Sequence, residues 1–553
     1  MNHQDLTSAA EAWLQQDPDP ETRAELQHLL DSADTAGLAA RFESRIGFGT
    51  AGLRGELGAG PNRMNRVLVA QAAAGIARYM NETGGKSVVI GYDGRHNSDV
   101  FARDSAEIFA GAGLDVLLFD DYTPTPLLAF ATRLGPQSGP NAGRPFDFGI
   151  MVTASHNPPR DNGYKVYAGS LGGSQIIAPM DKQIASHIAE VAERMTFDQL
   201  TKSQNFMTAG VEYRTRYVEH TASLVSATNA RNPLAITFTA MHGVGWQTSK
   251  AVFAAASLPE PAVVTAQIEP NGDFPTVAFP NPEEPGALDL AIETATFNGS
   301  QLILAVDPDA DRLAVALPDS GAEHGWRKLT GDQIGFLLGA TLAERAAESG
   351  ARGNLACSIA SSRSLSAVAK ENGLGFVQTL TGFKWISKVP NLLFGYEEAL
   401  GYCIDPENTP DKDGISAALI VADLAARLAT DGLTIDDRLN QLYERYGHWA
   451  TSQITLRFDN VAKAAAIVAR IRSNPPSHIL GQQPEFTDLA NGTSELPPTD
   501  GLLFEFADGR HALIRPSGTE PKLKCYLEAT GSSQADAGER LAQLEAAFRR
   551  VLS

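Results

Sequence analysis

Short apolar runs alternate with amphipathic stretches along most of this chain. From about residue 47, strands are predicted at KSVVIGYDG, DVLLFD and FDFGIMVTASHN, and a glycine-terminated helix is predicted at SDVFARDSAEIFAGAG. Strands that alternate with helices are typical of βαβ units and predict a largely parallel sheet. We therefore expect an α/β domain in this part of the chain.

The same order of elements recurs twice. Strand, loop and helix are predicted for LAITFTAMHGVGWQTSKAVFAAA and again for NLACSIASSRSLSAVAKENG. The C-terminal part differs, because two alternating strands flank Asp508-Gly509, a strong hairpin signal, and an amphipathic helix follows. The sequence thus predicts an α/β protein with three similar α/β domains and a smaller C-terminal α+β domain.

The length of 553 residues exceeds what one hydrophobic core normally supports. In the first forty residues, Asp19 is expected to cap a helix that starts at Pro20. This helical extension could pack on the first domain or mediate association, and the sequence leaves both open. We place the domain boundaries in polar segments. This gives an N-terminal extension, 1–46, followed by four domains: 47–204, 205–320, 321–434 and 435–553.

Composition narrows the range of partners. The chain has 45 Lys and Arg against 65 Asp and Glu, a net charge of −20, which argues against nucleic acid or an anionic membrane as a partner. A small phosphorylated substrate stays compatible, because it senses the local field of a cleft. No apolar run approaches the ~20 residues of a membrane-spanning helix. Cys357, Cys403 and Cys525 lack disulfide or metal-site spacing, so a cytoplasmic protein with reduced cysteines is expected.

The segment TASHNPPRDNGYKVY places Ser155 just past an apolar strand, where α/β proteins bind their ligands. A serine hydrolase is disfavoured, because the glycines of the G-x-S-x-G elbow are missing. Neighbouring side chains of an extended segment point to opposite sides, so His156 is expected to be poorly placed to deprotonate Ser155. Lys165 is the freer candidate for proton transfer, and a plain capping turn is the alternative.

A second polar group interrupts the apolar run LILAVDPDADRLAVAL. Asp307, Asp309 and Asp311 follow its first strand, and Arg312 comes directly after them. Three adjacent carboxylates repel one another unless a cation neutralises them, and hard oxygen ligands favour Mg²⁺ or Ca²⁺. An EF-hand is excluded, because its sixth and twelfth positions are arginine and proline here. We expect a metal site, with a solvated acidic turn as the alternative.

Two further loops could bind a sugar phosphate. RPSGTEPKLK offers arginine, hydroxyl, glycine and lysine donors to a phosphate, although a plain turn would also fit. GYEEALGYC holds paired glutamates that could accept hydrogen bonds from sugar hydroxyls, or that could begin a helix. Together, a nucleophile, a cation site, a hydroxyl acceptor and a phosphate cradle are what phosphoryl transfer on a sugar requires.

In this order, TASHNP, DPDADR, GYEEALGY and RPSGTEP resemble the four signature loops of the α-D-phosphohexomutase superfamily. The resemblance runs from about Gly47 to Ser553, and GFGTAGLRG with GYEEALGY is similar to the phosphoglucomutase/phosphopentomutase subgroup. It implies a heart-shaped, four-domain enzyme whose loops meet in one cleft. It further implies interconversion of glucose 1-phosphate and glucose 6-phosphate through a phosphoserine and a sugar bisphosphate, with phosphopentomutase or phosphomannomutase activity as alternatives.

The resemblance also implies roles for single residues. Ser155 would be the phosphoserine and Lys165 the general acid/base, with His156, Arg54 and Arg312 close to the transferring group. One Mg²⁺ would be held by Ser155, Asp307, Asp309 and Asp311. The phosphorylated monosaccharide would be bound by Lys384, Glu397, Glu398, Arg515, Ser517, Gly518 and Thr519. A sugar 1,6-bisphosphate is the implied activator, and the protein is expected to be a monomer or a homodimer.

One position departs from the phosphoglucomutase pattern. Its sugar loop usually reads Glu-Glu-Ser, and Ala399 stands where the serine would be. The missing hydroxyl leaves strict glucose specificity open and fits the phosphopentomutase side of the subgroup. Two rival functions are an enzyme that forms an aspartyl phosphate, since Asp307 and Asp309 resemble its nucleophile pair, and a non-catalytic sugar-phosphate sensor. Replacing Ser155 by alanine separates the first rival from a phosphoserine mutase.

Overall fold

The structure is a computed structural model that describes residues 2–49, 52–137, 142–226, 234–516 and 522–553. The chain divides into two compact units. The first unit comprises Met1–Lys328 with Tyr402–Arg427, and the second comprises Leu329–Gly401 with Leu428–Ser553. Within the described residues, every helix is too short or too polar to cross a membrane.

The N-terminal extension forms three helices: α1 (His3–Gln16), α2 (Pro20–Asp31) and α3 (Thr35–Phe42). The predicted cap is confirmed, because Asp19 accepts a hydrogen bond from the Glu21 N–H at 2.9 Å and Pro20 opens α2. Apolar side chains of the three helices, among them Trp13 and Leu26, join the hydrophobic core of the first sheet. The extension therefore packs on the first domain.

The first sheet has the order β1-β5-β4-β2-β3-β7, with β6 beside β5. Strands β4, β2, β3 and β7 are parallel, and β5 is antiparallel to β4 and β1. This antiparallel return pairs Met151 with Lys165. The elements are β1 (Leu53–Glu56), α4 (Arg66–Thr83), β2 (Ser87–Tyr92), α5 (Ser98–Gly111), β3 (Asp115–Phe119), α6 (Thr125–Leu134), β4 (Phe148–Val152), β5 (Asp161–Ala168), β6 (Ser174–Gln175), α7 (Met180–Arg194) and β7 (Met207–Ala209).

The second sheet has the order β12-β11-β10-β8-β9. Strands β10, β8 and β9 are parallel, whereas β10 and β11 form an antiparallel hairpin around DPDADR. Both hairpin strands are buried almost throughout, as their apolar runs predict. The elements are α8 (Glu212–Ala222), β8 (Ile236–Thr239), α9 (Trp246–Ala255), β9 (Ala262–Val263), α10 (Asp289–Asn298), β10 (Leu302–Val306), β11 (Leu313–Pro318) and β12 (Trp326–Lys328).

In the second unit, β14, β13 and β15 pair in parallel in that order, and α11 and α12 pack against them. This confirms the third strand–loop–helix repeat. Most of β16 and α14 belong to the first unit. Along this stretch of the chain the elements are α11 (Gly331–Ser349), β13 (Asn354–Ser358), α12 (Ser364–Glu371), β14 (Gly375–Thr379), α13 (Phe383–Ile386), β15 (Leu392–Glu397), β16 (Gly401–Cys403), α14 (Gly414–Thr430) and α15 (Ile435–Tyr446).

The C-terminal sheet is antiparallel, with the order β17-β21-β20-β19-β18. The hairpin predicted at Asp508-Gly509 is confirmed, since it joins β19 to β20 and Gly509 has a φ of 87°. The three cysteines of the chain are buried free thiols, as predicted. The elements are β17 (His448–Arg457), α16 (Val461–Ser473), β18 (Glu485–Asp488), β19 (Leu502–Glu505), β20 (His511–Pro516), β21 (Lys522–Gly531) and α17 (Gln534–Leu552).

Candidate active site

Ser155 lies in a tight turn directly after the buried strand β4. Its φ of 52° is a left-handed conformation that few non-glycine residues adopt and that recurs at functional sites. The Ser155 N–H donates to Thr153 Oγ1 at 2.8 Å, and only 2% of the residue is exposed. The Ser155 hydroxyl donates to Asp307 Oδ2 at 2.7 Å. The turn thus places the serine hydroxyl against the loop that carries Asp307, Asp309 and Asp311, the aspartate loop.

The structure corrects the expected orientation of His156. Its Nδ1 lies 3.2 Å from Ser155 Oγ, whereas the sequence predicted that the two side chains point apart. The prediction assumed an extended backbone, and the left-handed turn at Ser155 instead brings successive side chains together. Burial and the nearby cations Arg312 and Arg54 hold the pKa of His156 well below its usual value, although 19% of its side chain is exposed. A neutral imidazole therefore lies beside the serine and can accept its proton.

Asp307, Asp309 and Asp311 lie in the turn between β10 and β11, as predicted, and all three are fully buried. One oxygen from each carboxylate lies within 4.8 Å of the others. Among the residues that the structure describes, Asp309 Oδ1 and Asp311 Oδ1 have no hydrogen-bond partner. Buried carboxylate oxygens are costly without a partner, and grouped carboxylates are the ligands of hard cations. The residues fit a metal ion, and this group could bind one.

Two lysines contact the aspartates. Lys165 Nζ lies 2.7 Å from Asp309 Oδ2 and 2.9 Å from Asp311 Oδ2, because β5 returns beside β4. Lys412 Nζ lies 3.1 Å from Asp311 Oδ2 and 3.1 Å from Asp411 Oδ1. The sequence analysis missed Lys412, which lies far along the chain in the segment PDKDG before α14. Its position between two aspartates is the one local signal that could have marked it.

Burial and these contacts set the protonation of the cluster. Burial and the neighbouring carboxylates hold the pKa of Asp307 well above its usual value. Burial opposes ionisation of Asp309 too, but Lys165 and the Thr125 hydroxyl, which donates at 2.6 Å, outweigh it and lower that pKa. Burial favours the neutral amine of Lys165, but Asp309 and Asp311 outweigh it and raise the pKa. Lys165 is therefore an ammonium ion here, which can donate a proton.

Two arginines add positive charge to the site. Arg54 lies in β1 and its Nη1 donates to Asn157 Oδ1 at 3.1 Å. Arg312 Nε lies 3.7 Å from Asp311 Oδ1, and the Arg312 N–H donates to Asp307 Oδ1 at 2.9 Å. Such cations can stabilise the charge of a phosphoryl group. The first unit thus brings together eight of the predicted site residues: Arg54, Ser155, His156, Lys165, Asp307, Asp309, Asp311 and Arg312.

The remaining predicted residues belong to the second unit. The Gly382 N–H donates to Glu397 Oε1 at 2.6 Å, and Lys384 lies two residues further on in α13. Glu398 Oε2 accepts hydrogen bonds from the hydroxyls of Ser358 at 3.1 Å and Ser361 at 2.9 Å. The two glutamates are therefore both oriented, one by a backbone N–H and the other by hydroxyls.

The RPSGTEPKLK loop is described only at its edges. Arg515 Nη1 donates to Thr381 Oγ1, which places this guanidinium beside the TGFKW segment that carries Lys384. Ser517, Gly518 and Thr519 lie outside the described residues. Arg515, Lys384 and the two glutamates therefore occupy one unit, and a phosphorylated sugar is a chemically suitable ligand for such a set.

Comparison with protein families gives matches along nearly the whole chain. All four are to phosphoglucomutase/phosphomannomutase: the alpha/beta/alpha domains I, II and III and the C-terminal domain. They cover residues 45–195, 215–321, 330–446 and 454–547.

Individual relatives agree with these matches. A protein described as probable phosphomannomutase from Haemophilus influenzae is 45% identical over 495 residues, which cover 88% of this chain and 98% of that protein. The phosphopentomutase of Mus musculus is 34% identical over 569 residues, which cover 93% of this chain and 89% of that protein. The crystal structure of parafusin, a phosphoglucomutase from Paramecium, has the same fold, with a TM-score of 0.71 at 18% identity over 92% of this chain and 95% of that one.

The four signature loops, the four matched domains and the long relatives lead to one conclusion. The chain belongs to the phosphoglucomutase/phosphomannomutase family, the α-D-phosphohexomutases, and is a sugar phosphate mutase, an isomerase that works by phosphoryl transfer.

Proposed function

We propose that this mutase carries its phosphoryl group on Ser155 and moves phosphate between the anomeric oxygen and the primary hydroxyl of an aldose. The observation that carries the proposal is the 2.7 Å hydrogen bond from Ser155 Oγ to Asp307 within three buried carboxylates. A serine hydroxyl is a weak nucleophile and a phosphoserine is a stable ester, so transfer needs charged, oriented surroundings. The turn after β4 supports this role, because it holds the Ser155 hydroxyl against Asp307.

Each half-reaction exchanges one phosphorus–oxygen bond for another. In the first, the free hydroxyl of a sugar monophosphate attacks the phosphoserine, the bond from phosphorus to Ser155 Oγ breaks, and a sugar bisphosphate forms. In the second, Ser155 Oγ attacks the other phosphate of the bisphosphate, and the isomeric monophosphate leaves. The bisphosphate must turn end for end between the two steps. The phosphoserine is thereby regenerated, and the net reaction is an isomerisation.

Two side chains can account for the protons. When Ser155 attacks, its hydroxyl turns from Asp307 to the neutral Nδ1 of His156, which takes the proton, and the Lys165 ammonium protonates the departing sugar oxygen. The proton on His156 then passes through solvent to Lys165, so the phosphoenzyme again holds a neutral imidazole and an ammonium ion, in line with the lowered pKa of His156 and the raised pKa of Lys165. In the next turnover the same transfers run in reverse, and the proton of the attacking sugar hydroxyl ends on Ser155 Oγ. The proton balance closes over the cycle.

The aspartate loop is proposed to hold Mg²⁺ through Asp307, Asp309 and Asp311, with Ser155 or its phosphate as a further ligand. When bound, Mg²⁺ neutralises negative charge on the transferring phosphoryl group. The hard oxygen ligands and the two unpartnered oxygens support this assignment. The chain's own contribution is to orient the carboxylates through Lys165 and Lys412, and to direct Arg54 and Arg312 at the phosphoryl oxygens.

The second unit is proposed to bind the rest of the substrate. Glu397, Glu398 and Lys384 would bind sugar hydroxyls, and the non-reacting phosphate would be held by Arg515, Ser517, Gly518 and Thr519. A sugar 1,6-bisphosphate is the proposed activator, because an enzyme that has lost its phosphoryl group needs a bisphosphate to regain it. The cytoplasm is the proposed location, and the domain boundaries stated above remain predictions.

Glucose 1-phosphate is the sugar that the resemblance predicts, and a pentose 1-phosphate is the second candidate. Ala399 favours the pentose, because it removes a hydroxyl from the loop that follows the two glutamates. The relatives named phosphopentomutase and probable phosphomannomutase support testing ribose and mannose beside glucose.

The test is a comparison of kcat/KM for glucose 1-phosphate, ribose 1-phosphate and mannose 1-phosphate, with Mg²⁺ and a trace of the matching bisphosphate. A tenfold preference, about 1.4 kcal/mol of transition-state discrimination, identifies the sugar. Ser155→Ala should abolish turnover, while Ser170→Ala, at an exposed serine just beyond β5, should retain it. Turnover that survives in the Ser155→Ala enzyme would contradict the proposal.

A further inference from the structure

Arg95 makes an unusual set of contacts with residues 153–161, the serine loop. It follows β2 in the segment YDGRHN, and 4% of the residue is exposed. Its Nη2 donates to the carbonyl oxygens of Ser155 at 2.6 Å and Asn157 at 2.5 Å. Its Nη1 donates to those of Pro158 at 2.8 Å and Asp161 at 3.0 Å. One guanidinium thus binds four carbonyls of a single turn.

The guanidinium is itself held from two sides. Asp93 Oδ2 lies 3.5 Å from Arg95 Nε, and Asp93 is oriented by the Ser98 hydroxyl at 2.7 Å. On the other side, the Phe274 ring centroid lies 4.9 Å from the guanidinium carbon, a cation–π contact. Phe274 belongs to the segment between β9 and α10, beside the second sheet. Arg95 therefore ties the serine loop of the first domain to the domain that carries the aspartates.

The serine loop needs such a tie. Ser155 sits at a φ of 52°, and conformations of this kind persist only where the surroundings fix them. A turn gives its carbonyls few of the partners that a sheet would supply, although the Pro158 carbonyl also accepts from the Asp161 N–H at 3.0 Å, and backbone carbonyls removed from water must be paired. Lysine could not replace the interaction, because its ammonium lacks the planar fork that reaches four acceptors at once.

We propose that Arg95 is a positioning residue for phosphoryl transfer: through four carbonyls it holds the turn that aims Ser155 Oγ at the aspartate loop. This inference rests on the proposed role of Ser155. Arg95 acts through the backbone of the loop, because both Nη atoms of its guanidinium donate to loop carbonyls. Its replacement should therefore slow both transfer steps and leave sugar binding nearly unchanged.

The test uses Arg95→Lys in the full-length protein. Arg66→Lys is the matched control, because Arg66 also makes a two-pronged contact, with Asp104 at 2.7 and 2.8 Å, but lies on α4 away from the serine loop. Single-turnover transfer from the phosphoenzyme, KM and the melting temperature are measured for both variants. We expect Arg95→Lys to transfer at least 100-fold more slowly with KM within threefold of wild type, and Arg66→Lys to transfer at the wild-type rate.

A second readout separates positioning from folding and from the proposed function. Hydrogen exchange of the peptide spanning 153–161 should quicken at least tenfold in Arg95→Lys, with little change in peptides from the second unit. Wild-type transfer rate or unchanged exchange in Arg95→Lys would overturn the inference while leaving the role of Ser155 intact. If the wild type shows no Ser155-dependent transfer, the proposed function fails, and the exchange measurement still decides whether Arg95 fixes the loop.

Discussion

The aspartate loop of the first unit and the glutamate loop of the second, GYEEALGY, are held in different ways. Asp309 and Asp311 meet Lys165 and Lys412 at 2.7 to 3.1 Å, and all four groups are buried. Glu398 is instead held by the neutral hydroxyls of two serines. Buried groups of opposite charge hold each other in a fixed geometry. Removing one of them is strongly destabilising, because the other charge is left buried without its partner. Neutral donors orient a carboxylate without cancelling its charge, which suits the role in binding and releasing a sugar that we propose for this loop.

The largest effect is expected from removing one of the buried charges of the aspartate–lysine cluster in the first unit. Asp309→Asn removes one buried charge and leaves Lys165 beside a neutral amide. We expect kcat/KM to fall at least 10³-fold, about 4 kcal/mol, and the rise in melting temperature on adding Mg²⁺ to disappear. Asp319→Asn, at the far end of the same hairpin, is the control and should behave as wild type. An Asp309→Asn enzyme within tenfold of wild type would remove the cluster from the mechanism.

A moderate effect, on KM, is expected from variants of the two glutamates of the second unit, which neutral groups orient. Glu397→Gln and Glu398→Gln should each raise KM by about tenfold, roughly 1.4 kcal/mol, because each would weaken the hydrogen bonds that we propose to sugar hydroxyls. The Mg²⁺-dependent change in melting temperature should stay as in wild type. Ser361→Ala, which removes one hydroxyl from Glu398, should raise KM only two- to threefold. The comparison fails if these variants lose Mg²⁺ stabilisation or lose kcat as strongly as Asp309→Asn.

The last effect concerns the pH dependence of stability, with no expected loss of activity, and sharpens the comparison. Asp332 accepts hydrogen bonds from the Ser362 N–H at 2.7 Å and the Tyr396 hydroxyl at 2.9 Å, and burial raises its pKa to about 7, whereas Lys165 lowers the pKa of Asp309. The folded state thus keeps a proton that the unfolded state, with its usual pKa of 3.8, releases. Stability should fall as pH rises from about 4 to 7, by at most about 1.4 kcal/mol per pH unit.

Asp332→Asn should flatten this decline, and Asp431→Asn, at an exposed position, should preserve it. Unfolding is followed by urea titration at several pH values for the three proteins. Equal pH slopes for wild type and Asp332→Asn would show that Asp332 is not protonated in the folded state.

The sequence could predict those features that depend on residues close together in the chain. The strands around DPDADR and the Asp508-Gly509 hairpin are local, so their apolar runs and turn residues predict them, and the structure confirms both. The orientation of His156 depends on one left-handed residue, Ser155, which an extended pattern does not reveal. Lys412 and Arg95 act across long chain separations, and only the folded sheets bring them to the aspartates and the serine loop.

The most direct test of the account is to locate the phosphoryl group and follow its transfer. The protein is phosphorylated with a sugar bisphosphate that carries isotopically labelled phosphate, freed of ligand, and mapped by mass spectrometry before and after excess unlabelled sugar monophosphate is added. We expect labelled phosphate on Ser155, its replacement there by unlabelled phosphate as the label appears in the sugar phosphates, and no phosphate in Ser155→Ala. Labelled phosphate found on Asp307 or Asp309 instead, or a label on Ser155 that the sugar does not exchange, would contradict the proposed mechanism.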